Sequence, residues 1–287
     1  MEIPQELKEE IEKIMSGIKH TNLIEDAQKI SVKYRQNDGK GKRMVTKDTE
    51  ALAYAISRMP STYCAVISVL SNVMKNYDKK VNSVLDIGAG TGAATWAVSN
   101  MLEPEKIVCL EREKAMRDIG TKIMSEHISN AQWREYDLVT NEIDEKADLV
   151  ITSYVINELN YSDREIAILK MWEATNDVLI IIEPGTPEGF KHIQEAREIL
   201  QSQNANIVAP CTCKGKCPIN PNEDWCSFYV RVSRSGIQKQ AKKGELGYED
   251  EKFSYIAFSK QPVNISGARI LRHPQINSGY VKVKLCT

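Results

Sequence analysis

Four cysteines fall within sixteen positions of one segment: Cys211, Cys213, Cys217 and Cys226 in PCTCKGKCPINPNEDWC. They are interleaved with Gly215, Pro218 and Pro221, residues that let a loop wrap an ion. The spacing differs from the paired C-x₂-C of zinc ribbons. Cys286 lies far off in sequence, at the end of the last apolar run, and could close the site from a distance. Thiolate ligation suits zinc and an iron–sulfur cluster equally well, and spacing does not separate them. Cys64 and Cys109 sit in an apolar helical stretch and an apolar strand, the ordinary setting of a core cysteine.

A second chemical signature lies upstream in LDIGAGTG, residues 85–92. Glycines there permit φ > 0 and let backbone approach a ligand closely. The G-x-G-x-G pattern differs from the G-x-G-x-x-G dinucleotide fingerprint and points to S-adenosylmethionine (SAM). The candidate loop ligands are Asp86, Gly88, Ala89, Gly90, Thr91 and Gly92, with Asp86 organising the loop and facing the methionine end. Glu111 ends the second strand, where a carboxylate can accept two ribose hydroxyls. Asp137 follows the third strand, where the adenine amine is read. The competing reading is a Rossmann-like domain that has lost its ligand.

The elements that position these residues follow from apolar periodicity. The first eighty residues read as helical, with three-to-four spacing in LKEEIEKIMSGI, TKDTEALAYAISRM and STYCAVISVLSNVM. Pro60 marks a helix start. Residues 34–43, YRQNDGKGKR, are polar and glycine-bearing, hence a loop. From Val81 strands alternate with helices: VNSVLDIGA, KIVCLERE, AQWREYDL, ADLVITSYVI and DVLIIIEPG are the strands. That alternation predicts an α/β fold with a parallel, doubly wound sheet. A helix follows the fifth strand, then the cysteine segment, a basic stretch at 231–243, and two last strands, FSYIAFS and GYVKVKLC.

The 287 residues leave room for one large domain or two modest ones. A formal net charge of −1 excludes a global basic field. RNA binding would therefore need local clusters, and DNA is not an expected partner. No signal-peptide core opens the sequence, and no run of about 18 apolar residues could cross a membrane. The expectation is a cytoplasmic protein without a membrane partner. In a reducing compartment, clustered cysteines are metal ligands rather than disulfides.

Several stretches carry a family resemblance: ALAYAISRMPSTYCAV, VLDIGAGTGAATWA, SYVINEL, IIIEPGTPEGF, PCTCKGKCP, DWCSF and ELGYEDEKFSYIAFS. Together they span nearly everything after the first forty residues. The chain resembles the methyltransferase-like small-ribosomal-subunit family, known best as a mitochondrial ribosome assembly factor with bacterial and archaeal homologues. The resemblance implies a class I SAM-dependent methyltransferase (Rossmann-like) fold with an N-terminal helical region and a C-terminal cysteine-rich metal-binding insertion. It divides the chain into a helical region (1–80), a SAM-binding core (81–205), and the insertion with C-terminal strands completing the sheet (206–287). It also implies a four-iron–four-sulfur cluster, with zinc as the alternative, and binding to small-subunit ribosomal RNA. Its ligand pattern falls on Cys211, Cys217, Cys226 and Cys286. Cys213 departs from that pattern, as a bystander or an alternative ligand. Cys286 stands one residue from the end of the sequence and is expected on a frayed end.

Pro210-Cys211 and Thr212-Cys213 mimic the dipeptides around the nucleophilic cysteines of RNA cytosine-5 methyltransferases. Those cysteines lie at the ends of strands 4 and 5, where this chain has SYVIN and EPG, so nucleophilic catalysis is discounted. No catalytic residue is assigned; Asn157 and Glu158 are polar candidates only. His20, His127, His192 and His273 share no spacing and read as surface or structural residues. Two basic clusters are candidate phosphate contacts: Arg35, Lys40, Lys42 and Arg43, and Arg231, Arg234, Lys239, Lys242 and Lys243. RNA is expected on the second. Two functions remain side by side: an RNA methyltransferase, and a non-enzymatic RNA-binding assembly factor with a structural zinc site.

Overall fold

The computed structural model describes residues 1–18, 20–36, 45–242, 244–265, 267–272 and 274–287. Four helices come first: α1 (Gln5–Met15), α2 (His20–Gln36), α3 (Asp48–Ser57) and α4 (Met59–Val73). In α1 the apolar residues Leu7, Ile11 and Met15 recur every four positions and are buried on one face. Pro60 stands in the first turn of α4, where its missing N–H costs nothing. The alternating region then gives β1 (Ser83–Ile87), α5 (Ala93–Leu102), β2 (Lys106–Glu111), α6 (Lys114–Met124), β3 (Ala131–Glu135) and β4 (Ala147–Ser153). After β4 come a 3₁₀ turn (Ile156–Glu158), α7 (Tyr161–Glu173), β5 (Thr175–Pro184) and α8 (Pro187–Ser202). The last part holds β6 (Asn206–Ala209), β7 (Phe228–Ser233), α9 (Gly236–Lys242) and β8 (Tyr248–Ser259). The cysteine segment between β6 and β7 has no regular element.

The strands order as β3-β2-β1-β4-β5-β8-β6. The first five are mutually parallel, and β8 runs antiparallel to both β5 and β6. One reversed strand slotted before the last is the class I methyltransferase arrangement. β4 and β5 are buried along most of their length because helices cover both faces of the sheet. One face packs on the N-terminal helices together with α5 and α6, through Leu52, Val66, Leu70 and Trp96. The other packs on α7 and α8, through Ile168, Met171 and Leu200. The N-terminal helices thus share a core with the sheet.

The twelve-residue β8 is used twice. Its first half pairs with β7, Arg231 facing Asp250 and Val232 facing Glu249. Its second half fills the sheet between β5 and β6. β5, β6 and β7 all pair with β8, and the final apolar run stays outside this sheet. GYVKVKLC, expected as a single strand, splits into β11 (Tyr280–Lys282) and β12 (Leu285–Cys286). β11 forms a hairpin with β10 (Gln275–Asn277), and β12 pairs with β9 (Arg269–Ile270). Cys286 is 7% exposed on β12, not frayed. Among the described residues no helix is long and apolar enough to cross a membrane.

Candidate functional site

A cavity of about 510 Å³ opens at the carboxyl ends of β1, β2, β4 and β5. Open α/β sheets hold ligands at this place. Of the sequence-predicted cofactor residues, Gly88, Gly90, Glu111 and Asp137 line it, whereas Asp86, Ala89, Thr91 and Gly92 do not. Gly88, Gly90 and Gly92 all have positive φ. Gly88 also has no room for a side chain, because a Cβ would lie 2.3 Å from Val155 Cγ2. Glu111 braces the loop: its Oε2 accepts from Gly90 N–H at 2.8 Å and its Oε1 from Glu113 N–H at 2.8 Å. Burial raises its pKa against the pull of those bonds. Asp86 lies beneath the loop, where its Oδ2 accepts from Thr95 N–H (3.1 Å) and Oγ1 (2.7 Å). Its Oδ1 is buried without a hydrogen-bond partner among the described residues. Burial pushes this carboxyl up to about 7, the Thr95 hydrogen bonds opposing.

The opposite wall comes from SYVINEL. Tyr154 follows β4 directly, in the left-handed region at φ 63°, and aims its hydroxyl at Glu251 Oε1 on β8, 2.9 Å away. Arg58 at the end of α3 pairs with the same carboxylate at 3.4 Å and stands 5.8 Å from the Tyr154 ring. The turn after Tyr154 is pinned by Glu183, fully buried at the end of β5, which accepts from the Ile156 and Asn157 N–H groups at 3.0 and 3.1 Å. Asn157 and Glu158 both line the cavity. Burial, reinforced by the charge of Glu111, pushes Glu158 up to about 8.

Sequence reading gave His192 no place at this site and left it as surface or structural. It is 1% exposed in the cavity wall, its Nδ1 3.5 Å from Glu183 Oε2 and its Nε2 3.6 Å from Glu188 Oε1. One histidine on a helix gives no periodic signal; the only hint was its place a turn beyond EPG, at a strand end.

The cysteine segment folds back on the end of the chain. Thr212 Oγ1 donates to Cys286 O at 3.0 Å, and Ser254 Oγ donates to Cys226 O at 2.8 Å. Two arginines face the thiols, Arg197 buried and Arg269 half-buried: Arg269 Nη2 is 3.0 Å from Cys226 Sγ, and Arg197 Nη2 is 3.7 Å from Cys213 Sγ. Burial pushes Cys211 up to about 12 and raises Cys226 as well. Among the described residues no three cysteine sulfurs lie within 4.8 Å of one another. A tetrahedral zinc with 2.3 Å bonds would draw its sulfurs to about 3.8 Å.

The second basic cluster does not face outward as a unit. Arg231 is bidentate to Asp250 at 2.8 and 3.0 Å and covers the Tyr248 ring. Arg234 and Lys242 both turn to Glu249, which Ser61 also reaches. The β7–β8 register sets Asp250 opposite Arg231, while Glu249, opposite Val232, is reached by Arg234 from just beyond β7 and by Lys242 from α9, so three of the five cations expected to meet RNA are engaged by acids. Lys40, Lys42, Arg43 and Lys243 lie outside the described residues, as do the side chain of Arg35 and His273.

A family model described as mitochondrial small ribosomal subunit Rsm22 matches residues 48–287. The human mitochondrial ribosome assembly protein METTL17 is 24% identical over 233 residues, 73% of this chain and 49% of its own length. The mitochondrial Rsm22-cox11 tandem protein 2 of Schizosaccharomyces pombe is 28% identical over 334 residues, 97% of this chain and 44% of its own. The chain thus spans about half the length of these curated relatives. Among solved structures, the magnesium protoporphyrin IX methyltransferase of Synechocystis, with bound SAM, is similar at a TM-score of 0.48 and 12% identity, over 79% of this chain and 90% of that one. A putative RNA methyltransferase from Pyrococcus horikoshii is similar at 0.44 and 17%, over 69% and 82%. The expected cytoplasmic location does not stand: the family and both curated relatives are described as mitochondrial.

Proposed function

Because the chain belongs to the Rsm22 family of the mitochondrial small ribosomal subunit, we propose that it is a SAM-binding, methyltransferase-like factor acting on or with small-subunit ribosomal RNA in ribosome assembly. The observation that carries this is the cavity of about 510 Å³ with Gly88, Gly90, Glu111 and Asp137 on one wall. SAM would rest along residues 86–92 with its ribose on Glu111 and its adenine near Asp137. When bound it supplies an electrophilic methyl group. Tyr154, Asn157, Glu158 and His192 surround the space left for an acceptor.

Cys211, Cys217, Cys226 and Cys286 are proposed to hold a four-iron–four-sulfur cluster. The all-sulfur donor set fits it, and Arg269 and Arg197 offset thiolate charge. Its role is structural, tying the cysteine segment to the end of the chain. The three parts of the chain are then the helical region 1–80, the SAM-binding core 81–205 and the cluster-bearing segment 206–287. A non-enzymatic assembly factor, with zinc on the same thiols, is the second reading. One observation favours it over transfer to RNA: besides the protonated Glu158, four acidic side chains line the cavity (Glu111, Glu113, Asp137 and Glu188) against Arg58 and Arg112, which disfavours a phosphate chain at the mouth.

Three measurements on anaerobically purified protein test the proposal: SAM titration by calorimetry, the visible spectrum with iron and zinc content, and transfer of labelled methyl to small-subunit rRNA. Failure to bind SAM refutes the donor assignment. Colourless protein with one zinc replaces the cluster by zinc. SAM binding without transfer selects the assembly factor over the enzyme.

A further inference from the structure

With Arg231, Arg234 and Lys242 held by Asp250 and Glu249, a contact surface for RNA must lie where cations are unpaired. We propose that the β10–β11 hairpin, together with Lys214 and Lys216 of the cysteine segment, is a binding surface for single-stranded RNA. This rests on the RNA-linked function proposed above and gives it a location.

The first argument is charge. Residues 253–287 contain no Asp or Glu but carry Lys260, Arg269, Arg272, Lys282 and Lys284. Residues 210–222 likewise have no acid but hold Lys214 and Lys216. Asp224 engages Arg272 and Lys284 and so fixes the flanks of the hairpin to the cysteine segment. Arg272 Nη2 also donates to Trp225 O at 2.8 Å. Lys214, Lys216 and Lys282 are exposed and have no ion pair among the described residues.

The second argument is the register. Gln275 faces Lys282, Ile276 faces Val281, and Asn277 faces Tyr280 across a two-residue turn that Gly279 permits at φ 85°. Directly opposed residues share a face and neighbours alternate. One face therefore presents Gln275, Asn277, Tyr280 and Lys282: two amides, a ring 61% exposed and an ammonium. These are the groups that read base edges, stack on a base and neutralise a phosphate. The other face carries Ile276 and Val281. A two-stranded hairpin with both faces in water is marginal alone, and a ligand along it would supply the missing contacts. The absence of acids and the unpaired lysines favour a polyanion over a protein as that ligand.

The test uses full-length, metal-loaded protein with two fluorescent probes, oligouridine and a small-subunit rRNA transcript, across a salt series. Because the residues are exposed, variants should keep parent melting temperature, metal content and SAM affinity. Lys214→Gln/Lys216→Gln/Lys282→Gln should flatten the log–log salt slope by about 2, three contacts at roughly 0.7 each for a single strand. Tyr280→Ala should weaken oligouridine binding about 5- to 160-fold, the loss of one base stack. Arg231→Gln should change neither. If the parent binds RNA but the triple variant and Tyr280→Ala bind equally well, the surface is misplaced and the RNA-linked function stands. If the parent binds no RNA, both fall while SAM binding is judged separately. If binding to small-subunit particles survives nuclease and depends on Ile276→Asp/Val281→Asp alone, the hairpin is a protein contact and the proposal is overturned.

Discussion

Replacing Glu111 with alanine probes the donor cavity most directly, with Asp86→Asn as its counterpart. Glu111 ends β2 with both oxygens engaged by backbone N–H groups, Gly90 on one and Glu113 on the other. Each carboxylate oxygen keeps lone pairs for further donors, which two ribose hydroxyls would use. Alanine removes the ligand contact and also frees Gly90, so the loop loses its brace. Leaving the hydroxyls unpaired costs about 1–3 kcal/mol, a 5- to 160-fold rise in Kd for SAM. Glutamine keeps one acceptor oxygen for the two N–H donors and should fall between. Asp86 differs, because its Oδ2 is engaged by Thr95 and the residue lies beneath the loop rather than lining the cavity. Asp86→Asn should therefore change SAM affinity less than Glu111→Ala, although motif spacing assigns ligand roles to both residues. Calorimetry with SAM on proteins whose melting temperatures are matched decides it. A Glu111→Ala protein that is folded and binds SAM within twofold of the parent refutes the reasoning.

Gly88→Ala should destabilise by roughly 2–5 kcal/mol in urea titration, since a left-handed backbone and a clash with Val155 act together. Cys226→Ser should release the metal while Cys213→Ser retains it, counted as iron or zinc per chain. Stability should also fall as pH rises from about 4.5 through 8, because folded Glu158 keeps a proton that the unfolded chain has released. Glu158→Gln should shallow that decline, read as melting temperature against pH.

The sheet was legible because its strands are short Val/Ile/Leu runs bounded by glycine and proline, with helical periods between. β6 and β7 were not. β6 is four residues long, and β7 alternates Val230 and Val232 with exposed Tyr229 and Arg231, so its charges drew the eye before its period did. The acids of ELGYEDEK were visible in the sequence, but only the folded chain reveals which cation each one meets: Asp250 meets Arg231 across the strands, and Glu249 meets Arg234 and Lys242. That Gly88, Gly90, Glu111 and Asp137 share one cavity was legible from spacing, because a glycine turn and strand-end acids leave a pattern. The Glu183–His192 contact leaves none, since it depends on how α8 folds back over the end of β5.

The donor cavity has a roof built from the N-terminal half. The Tyr54 ring on α3 stands over Gly90, 3.7 Å from where a Cβ would be, while Arg58 reaches across to Glu251 and Tyr154. The cavity is therefore walled jointly by the sheet and the N-terminal helices, and it exists complete only when both are folded together, so loosening the helical region would cost the donor its pocket without touching the glycine loop.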